Sequence, residues 1–562
     1  MMLPLSLWLL AVSGVKGQQT GNHPEWNRWC GKVYEAGYPA FDPGGQTLPP
    51  TPVPGPPLLD VQFKPRYSLY LDSEETGEFV VNAPLTQFFG KPWPNSTAEQ
   101  FVFSINLVSN NEPLVENRIA VNSTGNVFGF DLSRLTASLN PIEVVLYGAP
   151  EGGDPTWTAT SELFYLPEKA GGSVTKLDNL NGGILFRNGA SNNTFEPLLA
   201  YGFYSSYDGF LRNVSQNDTS ALRHYADLGL NAITPLTNYA DSPVVFDVLD
   251  QMDLKFMFDM REFYKNLTMV QEQVIRARDA DAIFAYWTAD EPDGWQDPFS
   301  APILAYDLVR RLDPYHPVAV VLNCQDYYFG NYSSGADMLM SDVYPIGINA
   351  TFSKWGTACN ATLGDCGCDG CAGNPQDVSR RLDGMAARER ALNLWAKTKV
   401  HSPQSFHGED YWLRDPSPAE ERAMAVLALN HGAQAVVSWV YPASDVLAAA
   451  HGALAAVLAA QPVVGFLVGG ARPVPVAVDA DVDVVDAAYW VVGRRALVSV
   501  VNGGYVDVDG PVVVPVPGAV RVASIPWSAD GEVAWEVVGE RLSAPRLPAL
   551  STSLLILDLD GE

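Results

Sequence analysis

The stretch from Lys255 to Glu291, KFMFDMREFYKNLTMVQEQVIRARDADAIFAYWTADE, decides the fold. Two apolar runs, Lys255–Met260 and Ile283–Ala289, enclose the amphipathic segment Val270–Arg278. Short apolar runs that alternate with helix-length amphipathic segments indicate βαβ units, and such units build a parallel sheet.

The same alternation extends over residues 182–460 and predicts an α/β fold. Further helical segments are Thr219–Leu228, Pro302–Leu312 and Pro418–Leu429. Eight strand–helix units in a segment of this length are typical of a (β/α)8 TIM barrel, which takes ~250 residues. A doubly wound open sheet is the alternative, but no Gly-x-Gly-x-x-Gly motif opens a helix after the first strand. The predicted strands are Leu198–Tyr204, Ala232–Leu236, Lys255–Met260, Ile283–Ala289, Pro317–Leu322, Asp337–Val343, Val400–Phe406 and Ala435–Val440.

Segments of a different character flank the predicted barrel. Residues 18–59 are rich in proline and glycine, which predicts an extended N-terminal strap. Residues 60–170 contain strand-like runs, such as Phe101–Ile105 and Glu143–Tyr147, between turn residues, which is typical of a β-sandwich. Residues 462–562 predict a C-terminal β-sandwich, with strands at Val474–Val478, Val482–Val485, Ala496–Val501, Val512–Val516 and Leu554–Leu557.

The composition limits the classes of ligand. The 562 residues are 47% hydrophobic, as in a globular chain with a sizeable core, and carry a formal net charge of −29. Nucleic acids, anionic membrane surfaces and polyanionic substrates are bound by clustered Lys and Arg, so this charge argues against all three. It favours a neutral or cationic ligand.

The N-terminus, the sequons and the cysteines predict a secreted, extracellular glycoprotein. Residues 1–17 resemble a cleaved signal peptide, because a short apolar run is followed by small residues. In an oxidising compartment the six cysteines are expected to form up to three disulfides, whose pairing the sequence leaves open. A zinc site at Cys368-x-x-Cys371 is the alternative. The nine Asn-x-Ser/Thr sequons are at Asn95, Asn122, Asn192, Asn213, Asn217, Asn266, Asn331, Asn349 and Asn360.

Carboxylates follow predicted strands at their carboxyl ends, where the active site of a barrel lies. Strand four runs into Asp290 and Glu291, Asp342 belongs to strand six, and Glu409 follows strand seven. Two carboxylates that flank a glycosidic bond are what glycoside hydrolysis requires. The sequence therefore predicts Glu291 and Glu409 as the catalytic pair. Asp342 is the rival second carboxylate, which would allow inversion across a wider gap, and capping of the next helix is the structural alternative for Asp290 and Glu291.

Other side chains at the strand ends are predicted to bind substrate. Aromatic rings stack on sugar faces, although core packing is the alternative for each ring. The loop from Ile348 to Gln376 holds four cysteines and is expected to form a stapled wall beside the cleft. No phosphate loop, zinc helix or nucleophile elbow is found, so we expect neither cofactor nor metal. The predicted substrate-binding residues are Asp290, Trp287, Tyr204, Asn323, Asp342, Tyr344, His407, Trp412 and Trp439.

With Glu291 after strand four, Glu409 after strand seven and Trp439 on strand eight, the chain resembles the clan A glycoside hydrolases, which are retaining (β/α)8 enzymes. The resemblance covers roughly residues 182–460 and implies that Glu291 is the acid/base and Glu409 the nucleophile. Asp290 departs from the pattern, since most of these families have an Asn there that hydrogen-bonds the sugar 2-hydroxyl. Residues 404–441 are also similar to secreted fungal proteins described as glycoside hydrolase catalytic cores.

The expected function is hydrolysis, with retention, of a β-linked and largely neutral poly- or oligosaccharide. A β-glucan, with β-1,3 linkages as one option, is the first expectation for the substrate, and a β-galactoside is the second. Two alternatives stay open. One is a catalytically silent carbohydrate-binding or cell-wall protein on the same barrel, and the other is a transglycosylase that uses the same carboxylates.

Overall fold

A computed structural model describes residues 23–93, 99–154, 156–480, 483–529 and 533–560. The predicted signal peptide, the sequon at Asn95 and Val482 of one predicted strand lie outside the described residues.

Eight parallel strands close into a barrel, which confirms the predicted α/β barrel fold. Each strand pairs with the next along the chain, and the eighth pairs with the first. The strands are β1 (Tyr201–Ser205), β2 (Ala232–Pro235), β3 (Lys255–Asp259), β4 (Ile283–Asp290), β5 (Val318–Leu322), β6 (Met338–Asp342), β7 (Thr398–Ser402) and β8 (Ala433–Tyr441).

A helix follows every barrel strand. Helix α7 begins with a capping box, in which Ser417 and Glu420 satisfy each other's backbone N–H groups, and Pro418 occupies its first turn. The helices are α1 (Ser220–Asp227), α2 (Pro243–Gln251), α3 (Leu267–Ala277), α4 (Ser300–Leu312), α5 (Phe329–Ser333), α6 (Asp377–Ala391), α7 (Pro418–Asn430) and α8 (Asp445–Leu458). No helix within the described residues is long and apolar enough to cross a membrane.

Two antiparallel sheets, formed by the part of the chain that precedes the barrel, pack around a core of their own that includes Phe79 and Phe101. The strand order of the larger sheet is Pro113–Ala120, Gln100–Leu107, Ile142–Pro150 and Trp157–Leu163, and that of the smaller is Ser123–Asp131, Thr76–Ala83 and Gln62–Pro65. The short sheet Val174–Leu177, Ile184–Arg187 and Glu196–Pro197 leads into β1.

The part of the chain that follows the barrel also forms two sheets. The larger has the order Val474–Pro475, Val485–Val492, Arg495–Asn502, Thr552–Leu559 and Ala519–Ser528. The smaller has the order Val508–Pro515, Arg541–Leu547 and Glu536–Val537. These sheets confirm the predicted barrel with a β-sandwich on each side.

The strap that precedes the N-terminal sheets lies against the carboxyl-terminal end of the barrel. It contains a small hairpin of Arg28–Trp29 and Lys32–Val33. A disulfide joins Cys30 to Cys324, directly after β5, and Lys32 forms an ion pair with Asp369. The other four cysteines pair as Cys359–Cys366 and Cys368–Cys371.

Candidate active site

A cavity of about 320 Å³ opens at the carboxyl ends of the barrel strands. Most of the side chains predicted from the sequence meet there. The lining residues are Trp29, Tyr204, Arg261, Trp287, Asp290, Glu291, Trp295, Asn323, Asp342, Tyr344, Asp365, Gly367, Phe406, Glu409, Tyr411, Trp412 and Trp439.

Asp290 and Glu291 both line this cavity, although neighbours on a strand point to opposite faces. The reason is that β4 ends at Asp290 and that Glu291 has a φ of 47°, in the left-handed region. The Glu291 N–H still donates to the carbonyl of Val321 at 3.1 Å, which holds the turn against β5. Pro292 then prevents the strand from continuing.

Glu291 contacts one amide and shares the cavity with a further carboxyl group. Asn323 Nδ2 donates a 2.6 Å hydrogen bond to Glu291 Oε1. Asp342, at the end of β6, is only 7% exposed and lines the same cavity as Glu291. Burial and the charges of Asp290 and Asp342 raise the pKa of Glu291 well above its usual value, against the effect of the Asn323 hydrogen bond.

The pKa of Asp342 is also raised, by burial and by the charge of Asp290. The polar groups of Tyr344, Glu291 and Ser402 oppose this shift. Carboxyl groups that share a buried cavity do not all ionise readily, so each favours the protonated form of the others.

Arg261, in the loop after β3, is surrounded by carboxylates and aromatic rings. Its Nε lies 3.3 Å from Asp259 Oδ2, and its Nη1 lies 3.9 Å from Asp290 Oδ2. The guanidinium carbon is 5.5 Å and 5.2 Å from the ring centroids of Trp287 and Trp439. Burial raises the pKa of Asp290 to about 6 even though Arg261 opposes the shift.

Glu409 lies on the loop between β7 and α7 and is exposed. Its backbone has a φ of 55°, and its carbonyl accepts a 3.3 Å hydrogen bond from Lys354 Nζ. Both candidates for the second carboxylate therefore line the cavity with Glu291. Asp342 is buried, whereas Glu409 is open to solvent.

The aromatic residues form a continuous set around the carboxylates. Tyr204 packs on Trp287 and Trp439, with ring centroids 4.8 Å and 5.2 Å apart. Trp412 donates from Nε1 to the carbonyl of Tyr344 at 2.9 Å, which fixes its ring beside the cavity. Trp287 and Tyr204 are almost fully buried, so their rings pack beneath the cavity and leave little surface for contact with a substrate.

His407 is the one predicted binding residue that is not among the lining residues. Its Nδ1 lies 2.7 Å from Asp415 Oδ1, and its side chain is 62% exposed. The structure thus places this histidine on the outer surface of the loop that carries Glu409.

Several lining residues did not emerge from the sequence. Trp29 comes from the strap and Trp295 from the segment after Glu291, and their rings meet edge to face at 4.8 Å. The one signal for Trp29 was its position next to Cys30. The loop with the two short-range disulfides contributes Asp365 and Gly367 to the cavity wall. Within the described residues, no group of three or more His, Cys, Asp or Glu side chains could hold a metal ion.

No protein-family model matches the chain, and no curated protein matches it. Solved structures similar to it include an FMN-binding β-glucuronidase from Facaelibacterium prausnitzii L2-6, with 11% identity and a TM-score of 0.34 over 90% of this chain and 71% of that one. A GH30 endoxylanase from Clostridium papyrosolvens C71 has 10% identity and a TM-score of 0.38 over 64% of this chain and 96% of that one.

A glycoside hydrolase family 30 subfamily 8 xylanase from Clostridium acetobutylicum has 9% identity and a TM-score of 0.38, with the same two coverages of 64% and 96%. At these values we transfer neither a substrate nor a residue role, and the barrel assignment depends on the strand pairing. All three similar structures are glycoside hydrolases.

Proposed function

We propose that this chain is a secreted glycoside hydrolase that cleaves a β-linked, neutral poly- or oligosaccharide with retention of configuration. The observation that supports this most strongly is that the carboxyl groups of Glu291, Asp290 and Asp342 share one cavity lined by aromatic rings. A carboxyl group whose pKa is raised by burial and by neighbouring carboxylates is suited to act as the general acid that glycosidic cleavage requires.

In the proposed first step, Glu291 donates its proton to the glycosidic oxygen while the bond from that oxygen to the anomeric carbon breaks. The Glu409 carboxylate attacks the anomeric carbon and forms a glycosyl-enzyme ester. In the second step, the Glu291 carboxylate takes a proton from water, the water oxygen attacks the anomeric carbon, and the ester bond to Glu409 breaks. Glu291 ends the cycle protonated.

Glu409 is preferred to Asp342 as the nucleophile because it is accessible to a substrate. The two carboxyl groups of a retaining pair are ~5–5.5 Å apart, which leaves room for the anomeric carbon. Asp342 is only 7% exposed, whereas Glu409 is exposed and is the more accessible of the two to an anomeric carbon. The charge of Asp342 raises the pKa of Glu291, so we assign Asp342 to holding the proton on Glu291.

The charges in the cavity support a neutral substrate. Among the described residues that line it, Arg261 is the one cation, and Asp259, Glu262 and Asp290 lie within 4 Å of its guanidinium. A uronate carboxylate would therefore meet a cation that is already neutralised. A β-glucan remains the first candidate, with β-1,3 linkages as one option, and a β-galactoside is the second.

The surface positions of the sequons support secretion. All eight sequon asparagines within the described residues are exposed, as attachment of a glycan requires. The three disulfides are also those of an oxidising compartment.

The test is hydrolysis of β-1,3-glucan, β-1,4-glucan, β-galactan and a uronate polymer by the wild type, Glu291→Gln and Glu409→Ala. We expect cleavage of a neutral polymer, product with retained configuration by NMR, and a loss of kcat of about 10²-fold or more in both variants. Glu272→Gln, on the exposed face of α3, is the matched control and should keep wild-type activity.

Azide distinguishes the roles of the two carboxylates. In Glu409→Ala, azide should replace the missing nucleophile and yield a glycosyl azide of inverted configuration. Azide rescue of Asp342→Ala instead would move the nucleophile to Asp342. A wild type that binds a polysaccharide but cleaves none would contradict the hydrolase and favour the silent binding protein, and oligosaccharides longer than the substrate would indicate transglycosylation.

A further inference from the structure

The strap delivers an indole group to the candidate active site. Trp29 Nε1 donates a 3.1 Å hydrogen bond to Asn323 Oδ1. The other end of the same amide, Asn323 Nδ2, donates to Glu291 Oε1 at 2.6 Å. Trp29, Asn323 and Glu291 therefore form a chain of hydrogen bonds with one fixed direction.

Packing and covalent bonds fix the two ends of this chain. The Trp29 ring lies on Gly294, where an added Cβ would come within 2.7 Å of Cζ2, so only glycine fits beneath the indole. The disulfide Cys30–Cys324 joins the residues that directly follow Trp29 and Asn323. The backbone beside Asn323 is held further by Asp293, which accepts from the N–H groups of Asn323 and Cys324 at 3.2 Å and 2.9 Å.

We propose that Trp29 is a positioning residue for Glu291, because its indole N–H fixes the Asn323 amide so that an N–H and not the amide oxygen faces the Glu291 carboxyl group. The consequence for catalysis rests on the function proposed above, whereas the orientation of the Asn323 amide does not depend on that function.

The direction of the amide matters because Glu291 must release a proton. An amide N–H facing Glu291 stabilises the carboxylate that remains after proton transfer. A flipped amide would place an oxygen there, which would accept the acidic proton and hold it on Glu291. Loss of the indole N–H should therefore raise the pKa of Glu291 and slow proton donation.

Other ionisable groups also act on Glu291 and must stay the same in the comparison. Those that act on it or on its neighbour Asp290 are Asp290 at the end of β4 and Asp293 after it, Asp342 at the end of β6 and Tyr344 after it, Asp259 at the end of β3 with Arg261, Glu262 and Tyr264 after it, and Tyr204 on β1. None of these is altered by a change at Trp29.

The test compares Trp29→Phe with Trp26→Phe, a control on the same strap whose ring stacks on Tyr38 with centroids 5.1 Å apart. The pKa of Glu291 is measured from its carboxyl infrared bands, identified by subtraction of the Glu291→Gln spectrum. The kcat and KM of each variant are measured against pH. Asn323→Leu and the double variant Trp29→Phe/Asn323→Leu complete a double-mutant cycle.

We expect Trp29→Phe to raise the Glu291 pKa, to move the basic limb of the kcat profile to higher pH and to lower kcat about tenfold with little change in KM. Trp26→Phe should change none of these, and Trp29→Phe should have no further effect once Asn323 is Leu. Trp29→His keeps a ring N–H and should retain the wild-type pKa of Glu291. If Trp29→Phe does not fold, Trp29→His is measured in its place.

An unchanged Glu291 pKa in Trp29→Phe, or losses that add in the double variant, would overturn the proposal. The infrared titration needs no substrate, so it decides the orientation of the amide even if the wild type hydrolyses nothing. In that case the proposed hydrolase fails, and the assignment of Trp29 is judged separately.

Discussion

At the scale of single residues, the chemistry of the site depends on which of its buried carboxyl groups is protonated. Glu291 leaves the strand through its left-handed backbone, and this turn brings it to the same cavity as Asp290. Asp342 reaches it from β6. Among the described residues that line the cavity, these three acidic side chains have one guanidinium, that of Arg261, whose Nη1 lies 3.9 Å from Asp290 Oδ2.

Asp342→Asn tests the assignment of the proton. The charge of Asp342 raises the pKa of Glu291, so its removal should lower that pKa and move the basic limb of the kcat/KM profile to lower pH. Activity should therefore fall more at pH 7 than at pH 5. The measurement is the pH–rate profile of the variant beside Asp307→Asn, an exposed change on α4 that should leave the profile in place. A limb that moves to higher pH would contradict the assignment.

At the scale of elements, the barrel could be predicted because parallel strands buried on both faces are nearly continuous apolar runs. The run Ile283–Ala289 matches β4 to within one residue. The predicted strand Val400–Phe406 extends too far, because β7 ends at Ser402, directly before Pro403, which has no N–H to donate. In the C-terminal β-sandwich, the predicted strand Val474–Val478 shortens to Val474–Pro475.

The candidate site was predictable to the extent that strand ends specify it. Asp290, Asn323 and Asp342 each lie at or directly after a strand, so the barrel brings them together. Trp29 could not be placed this way, because it precedes the barrel and reaches Asn323 only through tertiary packing and the disulfide at Cys30. The positive φ of Glu291 also has no sequence signal, since that conformation is unusual for a glutamate.

Strand β7 contains a buried histidine that should limit stability in acid. His401 is fully buried, and neither ring nitrogen has a hydrogen-bond partner within the described residues. Burial, with a smaller effect of His451, lowers its pKa from 6.5 to about 3. As pH falls from 6.5 towards 3, His401 therefore gains a proton in the unfolded chain but stays neutral in the folded chain. This one group should cost about 3 kcal/mol of stability at pH 4 relative to pH 7.

His401→Gln should remove that acid loss even if it lowers stability at pH 7. The measurement is the denaturant midpoint of the wild type and the variant at pH 7 and pH 4. His224→Gln, at an exposed position on α1, is the control and should leave the pH dependence intact. An equal loss between pH 7 and pH 4 in the wild type and in His401→Gln would show that His401 is not responsible.

At the scale of the whole molecule, the barrel and the C-terminal β-sandwich form one structural unit. A single core extends from the barrel to Trp490, Leu497 and Ile556 of the larger C-terminal sheet, whereas the N-terminal sheets have a separate core. Polar contacts complete this junction. His431, directly after α7, contacts Asp383 on α6 through Nδ1 at 2.7 Å and Asp486 on the larger sheet through Nε2 at 2.8 Å.

The junction should therefore depend on the charge of His431. Burial lowers the pKa of His431, but Asp383 and Asp486 outweigh it and raise the pKa to about 9. Since 9 exceeds the ordinary value of 6.5, the protonated histidine stabilises the fold fully below pH 6.5 and loses that effect as pH rises through 9. We expect His431→Gln to lower the free energy of unfolding by about 3 kcal/mol at pH 6 and by much less at pH 10.

Calorimetry should show this loss in the unfolding transition of the barrel and the C-terminal β-sandwich. Asp486→Asn should give part of the same loss of stability. A cost that is the same at pH 6 and pH 10 would mean that the histidine acts through packing and not through its charge.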